Sequence, residues 1–218
     1  MKYTLLFIFL SFLNGQVIDS LDTNLNDLRS TVESSSRSVK KVLIDDFTGL
    51  DCPYCGYASF AVSDMLDEYP ETLISAQWHL SDFTPDGSDF DDCINTVVEE
   101  SDCFMFRAEL YGWDTINAIP IEAVNGVNVF NGANSEQSAY DMYLPAYENN
   151  VGQYTPYDIS INGIIDSNDV QYEITVTLDS NHSSQNMQIH AFVVEDNIMS
   201  VWWIFGDVNN YARNVVRI

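Results

Sequence analysis

Cys52-Pro53-Tyr54-Cys55 stands between two apolar runs, and this arrangement constrains the fold more than any other feature of the chain. Val39–Phe47 is a β-rich apolar run closed by Thr48-Gly49, and it reads as a buried strand. A helical pattern follows the cysteines, with Tyr57, Phe60, Ala61, Met65 and Leu66 on one side. Pro53 falls where a helix tolerates proline best, in the first turn. Thr72–Leu80 reads as a second strand. Strand, helix, strand implies a βαβ unit with a right-handed crossover and parallel strands. A thiol at a helix N-terminus meets unpaired N–H groups and the positive end of the dipole, which stabilise thiolate. Cys52 is then the exposed nucleophile and Cys55, one turn inside, the resolving thiol. A structural disulfide is the alternative. The spacing of the four cysteines, at 52, 55, 93 and 103, does not make a zinc ribbon.

Composition narrows the class. With 46% hydrophobic and 13% aromatic residues among 218, the chain can build a packed core and is not disordered throughout. It carries 33 acidic and 8 basic residues, a formal charge of −25. Such a chain does not bind nucleic acid through backbone charge, nor an anionic membrane surface. Met1-Lys2 followed by the apolar run Thr4–Leu13 fits a signal peptide over 1–16, cleaved near Asn14-Gly15-Gln16. The run is too short for a membrane span, which needs about 20 residues, and no later stretch is long enough. A soluble mature protein in an oxidising compartment is expected.

Residues 17–38 are polar and Ser-rich and read as a linker. Residues 81–104 form an acidic insertion holding Cys93 and Cys103. Cysteines ten residues apart on one straight helix lie about 15 Å apart, and a disulfide needs Cα atoms within about 7 Å. A Cys93–Cys103 structural disulfide therefore requires a reversal near Glu99–Asp102, as in a helical hairpin over the active site. A second thiol pair relaying electrons to Cys52 is the alternative. Phe104–Tyr111 is expected to be helical and to stop at Gly112. Asn125-Gly126, between Ile121–Val124 and Val127–Phe130, is a strong hairpin signal because both turn residues tolerate positive φ. Asn134 is expected to cap a helix running to about Asn149. After Gly152, the segments Tyr157–Ile165, Tyr172–Leu178 and Met187–Val194 alternate apolar and polar residues. This predicts an all-β unit with short loops.

These residues resemble the thioredoxin superfamily. Cys-Pro-Tyr-Cys is the tetrapeptide typical of glutaredoxins, while the strand before it looks more like thioredoxin itself. The resemblance implies that Asp46, six residues before Cys52, is a buried carboxylate that deprotonates the resolving cysteine; Asp45 alternates to the opposite face. Ala118-Ile119-Pro120-Ile121 looks like the family's cis-proline loop, which implies that Pro120 lies against the cysteines and that Ile119 offers backbone hydrogen bonds to bound peptide. Pro53 and Tyr54 complete the expected substrate contact. A narrower resemblance covers nearly all of the mature chain. Phe47-Thr48-Gly49, His79, the Ile-Pro loop, Ala191–Asp196 and Asn214-Val215-Val216-Arg217 look like a twenty-eight-kilodalton outer-membrane-protein family. Its members join a thioredoxin-like domain to a β-sandwich and are exported. That family usually has proline after the second cysteine, where this chain has Gly56. Its sandwich usually continues past Asn-Val-Val-Arg, where this chain stops at Ile218, so a short variant or a truncated sandwich is expected.

The expected fold is an α/β thioredoxin-like domain over 39–150 with a helical insertion, followed by a small all-β sandwich-like domain over 151–218. Other features have bland readings. His79 ends a strand near the site and is expected to pack or hydrogen-bond, with catalytic assistance or metal binding as the alternative. His182 and His190 lie in the β region, and three scattered histidines make no transition-metal site. Asp82, Asp86, Asp89, Asp91 and Asp92 read as a solvated loop, with calcium as the alternative. Asp166–Asp169 begins like a calcium loop but lacks its glycine and final glutamate. Trp202-Trp203 place one ring in the core and one outside, with a carbohydrate- or protein-binding aromatic patch as the alternative, and Asn181-His182-Ser183 is a sequon by pattern only. Two functions are in play. One is an exported thiol–disulfide oxidoreductase without cofactor or metal, acting on protein thiols and disulfides with an unidentified electron partner, in the periplasm, at the outer membrane or outside the cell. The other is a cell-surface or outer-membrane-associated binding module on a thioredoxin scaffold.

Overall fold

A computed structural model describes residues 3–12, 39–84, 103–113, 116, 118–166, 169–178 and 187–217. The strands are β1 (Tyr3–Phe12), β2 (Val42–Thr48), β3 (Leu73–His79), β4 (Ile121–Val124), β5 (Asn128–Asn131), β6 (Tyr157–Asp166), β7 (Asp169–Leu178), β8 (Met187–Glu195), β9 (Ile198–Trp203), β10 (Asp207–Ala212) and β11 (Val215–Val216). The helices are α1 (Cys55–Glu68), α2 (Cys103–Leu110) and α3 (Glu136–Asn150).

A seven-stranded sheet runs in the order β1-β8-β11-β3-β2-β4-β5. β2 and β3 are parallel and in register from Val42 opposite Leu73 to Thr48 opposite His79. Every residue of β2 is buried, as expected of a central parallel strand covered on both faces. Its alternation sorts two cores. Val42 and Ile44 pack with Ala58, Val62 and Met65 of α1 and with Tyr143 and Tyr147 of α3. On the opposite face Phe47 meets the rings of Trp78, Phe104, Tyr111 and Trp113. Asp45 points the same way and accepts from Trp78 Nε1 at 2.8 Å, from Arg107 Nε at 3.1 Å and Nη2 at 2.7 Å, and from the Tyr111 hydroxyl.

β4 and β5 form the hairpin foreseen from Asn125-Gly126, with φ of 50° and 68° at the turn. α2 gives way to Gly112, which has φ of 75°. α3 begins one residue later than expected: Ser135, not Asn134, is the N-cap, and its side chain exchanges hydrogen bonds with Ser138 in a capping box.

The β-rich C-terminal part is divided differently from the expected single sandwich. One compact unit comprises Met1–Phe7, Lys41–Gly152 and Ala191–Ile218. Within it β11 pairs parallel with β3 and antiparallel with β8, extending the central sheet, while β9 and β10 form a separate hairpin. A second unit contains Gln153–His190, where β6 and β7 pair over their whole length. Alternation fixes which residues share a face but not which sheet a strand joins. Tyr3–Phe12, the apolar stretch expected to serve as a leader, is a strand beside β8; apolar β-prone runs readily pair with an open strand edge. No helix among the described residues is long and apolar enough to cross a membrane.

Candidate functional site

Cys52 and Cys55 are joined by a disulfide with Cα atoms 5.3 Å apart. Phe47 and Thr48 end β2, the chain turns through Gly49–Tyr54, and Cys55 opens α1. Tyr54 is the N-cap residue and makes no side-chain cap, so the helix N-terminus presents its N–H groups to the cysteine turn. Pro53 lies just before that cap, in the turn rather than in the first helical turn.

The Ile119-Pro120 peptide is cis and faces the cysteines: Cys52 Sγ lies 3.6 Å from the Ile119 carbonyl oxygen. Ile119 packs on the apolar cluster that contains both cysteines, Leu50, Phe60, Trp202, Ala212 and Val215. Pro120 is buried and Tyr54 is exposed. The structure therefore gathers Cys52, Cys55, Pro53, Tyr54, Ile119 and Pro120 at one end of the sheet.

Cys52 departs from expectation in one respect. It is only 3% exposed, where an exposed nucleophile was foreseen. The cover comes from β9–β10. Trp203 N donates to Leu50 O at 2.9 Å, Trp202 is fully buried against Phe60, and Ile204 packs on the cysteine cluster. The outer side of this hairpin keeps Trp203 and Phe205 exposed, and the Phe205 ring meets that of Tyr54 at 5.4 Å. Trp202 in the core and Trp203 outside follow the alternation foreseen for them.

Beneath the cysteines lies a buried polar layer. Asp46 is fully buried, and its Oδ2 accepts from Ser59 Oγ at 2.8 Å and Gln77 Nε2 at 3.0 Å. Ser59 stands four residues after Cys55, on the same helical face one turn on, so this bond ties Asp46 beneath the cysteine-bearing turn. Burial outweighs the two donors and pushes Asp46 up to about 6. Gln77 Oε1 accepts from His79 Nε2 at 2.9 Å. Burial and the charge of Arg217 hold His79 down to about 3, so it stays neutral, a hydrogen-bonding partner with its ring tilted against that of Trp202.

Glu122 was not singled out by sequence reasoning. It lies opposite Asp46 in the β2–β4 ladder, two residues past Pro120, and is fully buried. Burial first, then the nearby Asp46 carboxylate, raises it well above the ordinary range. The usable signal was a lone acid in the apolar strand Ile121-Glu122-Ala123-Val124.

Other candidates fall outside this site. Cys93, the acidic residues from Asp86 to Asp92, and His182 lie outside the described residues; Cys103 begins α2, and its side chain is likewise not described. Asp82 is exposed. Among the described residues no group of three His, Cys, Asp or Glu side chains converges to hold a metal.

No family model matches the chain, and no curated protein matches its sequence. Solved structures do. HBP35 of Porphyromonas gingivalis superposes with a TM-score of 0.57 at 15% identity, over 85% of this chain and 57% of that one. The fold is thioredoxin-like. This chain thus spans little more than half of the solved chain it resembles, and at that identity the likeness concerns fold alone. A protein of Agrobacterium tumefaciens aligns with a TM-score of 0.43 at 14% identity, over 83% of this chain and 72% of that one.

Proposed function

We propose that this chain is an exported thiol–disulfide oxidoreductase that exchanges disulfides with protein substrates. The observation that carries this reading is the Cys52–Cys55 disulfide at the N-terminus of α1, with Cys52 Sγ against the Ile119 carbonyl and a buried Asp46 bound to the same helix. Cys52 is the sulfur that exchanges, because the α1 dipole favours its thiolate. Cys55 resolves the mixed disulfide, and Asp46 moves its proton. A substrate segment docks across Pro53, Tyr54, Ile119 and Pro120, with the exposed Trp203 and Phe205 rings beside it. The electron partner is a second thiol or disulfide protein in the periplasm, at the outer membrane or outside the cell. No nucleic acid is involved.

The 3% exposure of Cys52 favours a second reading, a surface binding module whose disulfide is structural. Reduction potential separates the two. Equilibration in glutathione or dithiothreitol buffers, with thiol counting by mass spectrometry, should give a value between about −270 and −120 mV for an exchanger. A value below about −300 mV, typical of structural disulfides, together with no mixed disulfide trapped on Cys52 in Cys55→Ser, would replace the first reading by the second.

A further inference from the structure

Asp46 and Glu122 are direct cross-strand neighbours on one face of the sheet, both fully buried. Among the described residues Asp46 Oδ1 is buried with no hydrogen-bond partner, and the buried Glu122 carboxyl has only the Tyr143 hydroxyl as a side-chain donor near it. Two adjacent buried carboxyls so short of donors are costly unless a proton lies among them. Among the described residues, nothing facing the two carboxyls supplies a counter-charge. From β2 Asp46 faces Glu122; β3 supplies the neutral Gln77 and, behind it, neutral His79; α1 supplies Ser59, one turn after Cys55; and α3 supplies Tyr143. The Tyr143 hydroxyl is buried beside Glu122, and burial first, then the neighbouring Glu122 and Asp46 carboxyls, raises it above its ordinary range. On β5 the residue opposite Glu122 is Phe130. Of the described cations in this part of the sheet, Arg107 is engaged by Asp45 on the other face, and Arg217, whose charge reaches His79, by Glu195.

We propose that Asp46 and Glu122 act as one unit, a carboxylate and a carboxylic acid sharing a single proton, and that this pair rather than Asp46 alone exchanges protons with Cys55. Glu122 is the positioning residue. Its O–H donates toward the open Asp46 Oδ1, and Asp46, which already has two donors, carries the charge. The pair therefore cycles between neutral and −1 and never reaches −2, because two adjacent buried carboxylates repel. This role rests on the exchange reading above. In resolution, the Cys55 thiol gives its proton to the singly charged pair, which becomes neutral. The Cys55 thiolate then attacks Cys52 Sγ, the Cys52–substrate bond breaks, and its electron pair leaves on the substrate thiolate. In the reverse direction a substrate thiolate attacks Cys52 Sγ, the Cys52–Cys55 bond breaks onto Cys55, and the neutral pair protonates the departing thiolate.

Dithiothreitol tests this on the oxidised protein, because it supplies both electrons and ends as its own cyclic disulfide. Two readings are taken on wild type, Glu122→Gln, Glu122→Met and Asp46→Asn. One is the carbon-13 titration of the side-chain carboxyls; the other is the pH dependence of the reduction rate relative to wild type, in which the ionisation of dithiothreitol cancels. The expected result is that wild type shows one carboxyl step near 6 at this site and Glu122 still holds its proton once that step is complete. Glu122→Met, which removes the O–H donor, moves the Asp46 midpoint and the bend in the rate upward by about one unit, roughly tenfold in proton affinity. Glu122→Gln, which keeps a donor, moves both less. Asp46→Asn abolishes the bend. An Asp46 midpoint unchanged in folded Glu122→Met and Glu122→Gln, or a Glu122 that ionises before or together with Asp46, overturns the proposal. A normal titration pattern with a disulfide that resists dithiothreitol in every variant instead overturns the exchange reading, and with it the coupling to Cys55.

Discussion

Ile204 rests on Gly56. A β-carbon at position 56 would lie 2.5 Å from Ile204 Cδ1 and 2.7 Å from Cγ1, closer than nonbonded carbons approach. The residue after the second cysteine is therefore bare because the tip of the β9–β10 hairpin is seated there. The proline implied at this position by the family resemblance would meet Ile204 at the same point. The contact also explains why Cys52 is covered, since Ile204 packs on the cluster that holds both cysteines.

Gly56→Ala is expected to lift the hairpin tip. Overpacking of this kind costs roughly 1–3 kcal/mol, measured by urea unfolding. Because Ile204 is the obstacle, the same substitution in an Ile204→Ala background should cost less than about 0.5 kcal/mol, a coupling between contacting residues. Both Gly56→Ala and Ile204→Ala should speed reduction of Cys52–Cys55 by dithiothreitol severalfold. Equal costs in the two backgrounds would show that Ile204 is not what Gly56 accommodates.

Much of this site was legible because local rules agree there. The apolar strand, the cysteine turn and the helical pattern placed Cys52 and Cys55 at a helix N-terminus, and period-two alternation put Asp45 and Asp46 on opposite faces, as observed. The Asn125-Gly126 turn was equally plain. Three things were not. Val215 pairs with Gln77 across the whole length of the domain, and no local pattern encodes a partner that distant. Glu122 was read only as part of a hairpin strand, because burial of a carboxyl opposite Asp46 depends on the β2–β4 register. Cys52 was expected to be exposed because its cover comes from Ile204, 152 positions away in the chain.

The Asp45–Arg107 pair fastens α2 to the sheet. The two side chains are nearly fully buried, 2.7 Å apart, and Asp45 also accepts from Trp78 and Tyr111. Arg107→Met removes the cation and leaves a buried carboxylate facing two neutral donors. Such a break costs about 3–5 kcal/mol. Adding Asp45→Asn removes the orphaned charge, so the double variant should recover a large part of that loss in urea unfolding. A double variant no more stable than Arg107→Met alone would mean that lost packing of the arginine, not the stranded carboxylate, sets the cost.

Asp46 gives stability a pH dependence with a definite sign. Its folded midpoint, about 6, lies above the ordinary 3.8, so the folded protein holds this proton more tightly than the unfolded chain. The contribution is full below about pH 4 and is lost as pH rises through 6. Two units correspond to about 3 kcal/mol. Asp46→Asn, neutral throughout, should match wild type near pH 4 and exceed it by about 3 kcal/mol at pH 8. His79 works in the opposite sense, destabilising the fold as pH falls from 6.5 toward 3, but it is common to both proteins and cancels in the difference. A difference that does not change between pH 4 and 8 would mean that Asp46 titrates alike in both states.

The exposed rings of β9–β10 should matter for large substrates and not for small ones. Trp203 and Phe205 are 43% and 65% exposed, and Phe205 continues onto the exposed Tyr54 beside the cysteines. Exposed aromatics clustered next to a reaction centre supply apolar contact to a bound chain, each about 0.5–1.5 kcal/mol beyond area alone. Trp203→Ser with Phe205→Ser is therefore expected to lower kcat/KM for a disulfide-bonded peptide about tenfold, mostly through KM, because these side chains hold the substrate in ground and transition states alike. Reduction by dithiothreitol, which is too small to span from Cys52 to the rings, should not slow. Equal losses with peptide and dithiothreitol would instead place the effect on the disulfide itself, through a shifted hairpin, and remove the rings from the docking surface.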